Sequence, residues 1–144
     1  MKFAIITKNQ SIYRSVRTVA NDIFLGTLTA VFTDELSFAK NIKDELENPH
    51  GQGRTGNEID VDIYNSTVKI SYCFSDSCIF IERQQLIQIM TKVIDLMEKE
   101  ADYIVITQEH ESSSVEISDK LPEGFELYIE DKELKYRYNP PKTK

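Results

Sequence analysis

The chain has 144 residues, 40% of them hydrophobic and 28% charged. That length suits one domain able to bury roughly 68–70% of its unfolded surface, and this apolar fraction excludes a disordered chain. Seventeen basic against 24 acidic side chains leave a net charge of −7. This balance argues against nucleic acid as the main partner, because such binding draws its affinity from Lys and Arg set against phosphate.

Residues 3–7 read as a first strand, too short an apolar run for an export signal. Ile12, Val16, Val19 and Ile23 then recur at helical spacing, whereas the β-branched and aromatic run from Thr27 to Phe32 predicts a strand. Helix chemistry follows. Thr33 is a candidate cap, Asp34 and Glu35 sit where the helix dipole favours carboxylates, and Phe38, Ala39, Ile42 and Leu46 make one apolar stripe. Asn48-Pro49-His50-Gly51 ends it, since proline cannot continue the hydrogen-bond ladder.

The glycine-rich segment 49–57 is expected to be a loop. After it the period changes to two: Ile59, Val61 and Ile63 point one way and Glu58, Asp60 and Asp62 the other. Asn65-Ser66 is a tight turn, Val68, Ile70 and Tyr72 continue on a returning strand, and Ser75-Asp76-Ser77 turns into Cys78–Ile81. The result is a three-stranded antiparallel meander. From Arg83 to Lys99 the residues Leu86, Ile89, Met90, Val93, Ile94 and Met97 mark a second amphipathic helix.

Four further strands are predicted: Tyr103–Ile106, Val115–Ser118, Phe125–Ile129 and Leu134–Tyr138, the last two closing a hairpin. Residues 109–114 read as a loop, and the basic tail 139–144 as frayed. The expected architecture is α+β, a single domain over residues 1–144, mostly antiparallel sheet with two amphipathic helices packed on it.

Catalytic groups are sparse. His50 and His110 fall in predicted loops with no nucleophile placed beside them. Cys73 and Cys78 flank a turn but supply neither a disulfide framework nor a zinc-ligand set. No metal or other cofactor is expected, and with no export signal the cytoplasm is the expected location. The segment Gly51-Gln52-Gly53-Arg54-Thr55-Gly56-Asn57 departs from a phosphate-binding loop, because it lacks Lys-Ser/Thr and is followed by a strand.

The strand Glu58–Ile63 carries the most information. Its alternation places three carboxylates on one sheet face, roughly 6.5–7 Å apart. On the returning strand the outward positions Thr67, Lys69, Ser71 and Cys73 offer one cation to oppose them. Either this is a solvated outer face, or it is an acidic stripe that imitates a phosphate backbone and binds a basic partner. Divalent-metal binding by Asp60 and Asp62 is a remote third option, since the clustered oxygen ligands are lacking. In the hairpin, Tyr136 and Tyr138 alternate with Lys135 and Arg137, which suits half-buried sheet residues better than base stacking.

Three passages carry a resemblance: Phe32-Thr33-Asp34-Glu35-Leu36, where a helix begins, Gly56-Asn57-Glu58, opening the meander, and Ile79-Phe80-Ile81-Glu82-Arg83, leading into the long helix. Over residues 28–99 this order resembles small immunity proteins of bacterial toxin systems, including those of contact-dependent growth inhibition. The segment from Glu100 onward lies beyond it. The resemblance implies a cytoplasmic toxin inhibitor that occludes the active or substrate-binding surface of a cognate toxin, often a nuclease, and is not an enzyme. Glu58, Asp60 and Asp62 are then the candidate partner-binding residues. One alternative is a small-molecule-binding domain or small enzyme with its pocket at the Gly51–Asn57 loop, using His50 and Arg54. Another is a subunit of a complex, pairing through the edge of the Phe125–Tyr138 hairpin.

Overall fold

The computed structural model describes residues 1–8, 16–33, 36–48, 53–55, 59–72, 76–110, 114–131 and 133–140. Its strands pair antiparallel in three sheets, and the class is α+β. The first sheet has the order β2-β1-β7-β8, built from β1 (Lys2–Lys8), β2 (Val16–Ala20), β7 (Tyr103–Gln108) and β8 (Glu116–Ser118). The second runs β3-β4-β5-β6, from β3 (Gly53–Thr55), β4 (Ile59–Tyr64), β5 (Thr67–Tyr72) and β6 (Cys78–Glu82). A separate hairpin joins β9 (Phe125–Glu130) to β10 (Glu133–Tyr138).

Helices fill the space between the two larger sheets. Helix α1 (Ile23–Thr29) touches β1 and β2 on one side and β5 and β6 on the other. Helix α3 (Arg83–Glu98) bridges β7 and β8 to β5 and β6, and α2 (Leu36–Glu47) packs along α3. Ala4, Ile6, Ile104 and Ile106 of the first sheet therefore share one core with Leu28, Ile42, Leu86 and Met90 of the helices and Val61, Val68 and Ile70 of the second sheet.

The opposite face of the first sheet has its own cover. Phe3, Ile5 and Val105 point away from the helices and lie beneath Phe125, Leu127 and Tyr136 of the hairpin. Phe125 and Tyr136 each meet the Phe3 ring edge-on at 4.8 Å, a favoured aromatic geometry. β7 is thus buried on both faces, which accounts for its uninterrupted Ile104-Val105-Ile106 run.

Several sequence expectations are corrected. Val16–Ala20 is a strand rather than part of a helix, as its β-branched Val16, Thr18 and Val19 favour. Thr27–Phe32 is not a strand: it completes α1 and continues as a 3₁₀ turn over Ala30–Phe32. Asp22 supplies the cap there, its carboxylate accepting from the Leu25 N–H, and burial of Leu25, Leu28, Val31 and Phe32 between two sheets outweighs local β preference. The Thr33 hydroxyl donates to the Ala30 carbonyl at 2.9 Å as the 3₁₀ turn closes. Asp34 and Glu35 lie outside the described residues. Inside the expected 49–57 loop, Gly53–Thr55 pairs with β4 and widens the meander to four strands. The packed strands are divided between separate sheets, and α1 adds a helix to the two expected. Asn139 is tied by its N–H to the Gly124 carbonyl at 2.9 Å, while the tail from 141 lies outside the described residues.

Candidate protein-interaction face

Period-two alternation divides the second sheet into a core face and an outer face. Ile59, Val61, Val68, Ile70, Ile79 and Ile81 are buried against the helices. Strand register then arranges the outer residues in three rows across β4, β5 and β6. Asp60 stands opposite Ser71 and Ser71 opposite Cys78; Asp62 opposite Lys69 and Lys69 opposite Phe80; Tyr64 opposite Thr67 and Thr67 opposite Glu82.

Asp60 and Asp62 therefore do share one face of β4, both half-buried, with Lys69 directly across from Asp62. Glu58 lies outside the described residues. Tyr64 and Phe80 are the notable additions. They expose 56% and 59% of their surface, high values for large side chains on an ordered sheet. The sequence carried the signal for Phe80 and Glu82, since both alternate with Ile79 and Ile81. Cys78 is an exposed free thiol on this face, and Cys73 lies outside the described residues.

The pocket alternative meets a different geometry. His50 lies outside the described residues, and Arg54 is placed by its backbone alone, paired with Val61 in β3. A cleft of about 770 Å³ opens elsewhere, where the end of α2 and the β4–β5 turn meet the start of α3. Its one arginine, Arg83, is already committed. The guanidinium donates to the carbonyls of Leu46 at 2.5 Å, Asn48 at 2.8 Å, Asn65 at 3.1 Å and Glu45 at 3.4 Å. These contacts fasten the carboxyl end of α2 to the meander, so Arg83 acts as a structural strut. Among the described residues no three His, Cys, Asp or Glu side chains converge as around a metal ion.

The hairpin resolves its mixed pattern in favour of packing. Tyr136 packs inward against Phe3, and Tyr138, though 44% exposed, stacks on Phe125 at 4.4 Å. On the outer face Lys135 pairs with Glu130 at 3.1 Å. Arg137 sits 4.4 Å above the centre of the Tyr128 ring, with a guanidinium nitrogen 4.0 Å from Glu126. Lys135 and Arg137 are thus engaged within the chain. Among the described residues, no helix is long and apolar enough to cross a membrane. Comparisons with protein-family models, curated proteins and solved structures find no match to this chain.

Proposed function

We propose that this chain is a non-enzymatic cytoplasmic binding protein, an immunity protein that neutralises a cognate bacterial toxin by covering its active or substrate-binding surface. The observation that carries the reading is the outer face of β4–β6, which Asp60 and Asp62 share with the exposed rings of Tyr64 and Phe80. By sequence alternation Glu58 belongs to the same candidate stripe. Carboxylates on such a face steer a cationic partner into contact, and desolvated rings supply the anchors that hold it. The excess of acidic over basic side chains across the chain acts in the same direction.

The partner to test is a toxin domain encoded beside this chain's own gene. Co-expression should protect cells from that domain, and stopped-flow association should slow roughly tenfold at low salt in the Asp60→Asn/Asp62→Asn variant, with a shallower salt dependence. Unchanged association kinetics in that variant would remove the acidic-stripe mechanism. Failure to protect against the toxin would remove the immunity reading.

A further inference from the structure

The hairpin shows how this fold receives a guanidinium. On β9, Glu126 and Tyr128 are two residues apart on one face, and Arg137 from the neighbouring strand lies over the Tyr128 ring within 4.0 Å of the Glu126 carboxylate. The same unit, a carboxylate and an aromatic ring two residues apart on one strand face, occurs twice on the second sheet. Asp62 and Tyr64 form it on β4, and Phe80 and Glu82 form it on β6. Among the described residues, no arginine of the chain lies over Tyr64 or Phe80, and both rings remain more than half exposed.

We propose that Asp62/Tyr64 and Phe80/Glu82 are two seats for arginine side chains of a cationic protein partner. This deepens the reading of the outer face as the partner-binding surface and rests on it. Within each seat the ring and carboxylate positions are about 6.6 Å apart, within reach of one guanidinium stacked on the ring and hydrogen-bonded to the acid. The seats lie two strand spacings apart, roughly 9.6 Å, with Thr67 and Lys69 of β5 between them. Lys69 repels a third cation at the centre and so favours a partner with two arginines spaced to straddle it.

Charge and chemistry select this occupant over others. Three carboxylates, Asp60, Asp62 and Glu82, face one ammonium, which disfavours nucleic acid and sets like charges together if a second copy docks through the same patch. A planar guanidinium can stack on an aromatic face and donate two parallel hydrogen bonds to a carboxylate, whereas an ammonium is a compact and strongly hydrated point charge. The face should therefore distinguish arginine from lysine at equal charge.

The test uses the full ¹⁵N-labelled chain and two probes, the octapeptides (Arg-Gly)₄ and (Lys-Gly)₄, titrated at low salt. The arginine peptide is expected to bind at least fivefold more tightly, with amide shifts concentrated on β4, β5 and β6. In Tyr64→Ala/Phe80→Ala the two peptides should bind equally, and Tyr64→Leu/Phe80→Leu, which keeps apolar bulk without rings, should behave alike if the alanine variant is unstable. Equal affinity of the unaltered chain for the two peptides, no detectable binding of the arginine peptide, or shifts confined to the hairpin would each overturn the proposal. Toxin protection with no arginine preference would remove the seats and leave the immunity reading standing. Arginine preference without protection would do the reverse.

Discussion

Arg83 binds four main-chain oxygens drawn from two separate elements, three at the end of α2 and one in the β4–β5 turn. The last carbonyls of a helix have no partner within it, so a side chain that reaches them replaces water at a site the sheet partly covers. Arg83→Ala should destabilise the fold by about 1–3 kcal/mol, the range for leaving buried acceptors without a donor, and urea unfolding would measure it. Arg83→Lys should recover only part of this, since one ammonium cannot span the same fork. The sequence showed Arg83 as the first residue of a helix. Nothing local in it announced a contact with residues 35 to 38 positions earlier.

Lys99 offers a second test on the same scale. Its ammonium donates to Asp95 at 2.9 Å, and that hydrogen bond and charge, with a smaller contribution from Asp119, hold its pKa above the ordinary 10.5. A pKa raised on folding favours the folded state while lysine is protonated in both states. That stabilisation is complete below 10.5 and is lost as the pH rises through the higher folded value. An NMR titration of the Lys99 Cε resonance should show the raised midpoint, and Asp95→Asn should lower it.

Among the elements, the C-terminal hairpin depends on a few aromatic contacts and one backbone position. Gly124 precedes it at φ +92°, where a side chain would be strained and a Cβ would come within 2.2 Å of the Asn139 oxygen. Two strands alone are marginal in water, so the rings of Phe125 and Tyr136 against Phe3 hold them in place. Tyr136→Ala should therefore speed amide hydrogen exchange in β9 and β10 well before it affects β4 to β6, as mass spectrometry of the exchanging chain would show. The hairpin itself was legible from two alternating runs flanking Glu130-Asp131-Lys132. The α1 segment was not, because Thr27–Phe32 has the composition of a strand and is helical through its setting between two sheets.

Across the whole molecule, the legible part is the contiguous part. The meander and the long helix follow from period-two and period-3.6 patterns, and the face bearing Asp60 and Asp62 came with the meander. The separation into two sheets was hidden because it depends on β1 pairing with β7, with Phe3 opposite Thr107, a partnership that no local pattern encodes. The candidate site was half visible for a related reason. Its carboxylates alternate plainly with Ile and Val, whereas Phe80 alternates with Ile79 and Ile81 but is itself apolar, so the pattern lacks the polar contrast that marks an outward side chain.

The pairing of β1 with β7 also orders events during synthesis. Residues 53–98 carry the second sheet and α3, and their mutual contacts are available as soon as that stretch leaves the ribosome. β1 emerges about 100 residues before residue 108 and must wait for it before the edge that pairs with β7 is occupied, an interval on the order of 5–20 s at typical elongation rates. During that interval Phe3 and Ile5 lack the hairpin that later shields them, so a nascent chain stalled short of Phe125 presents an unfinished sheet edge and a bare apolar surface to chaperones.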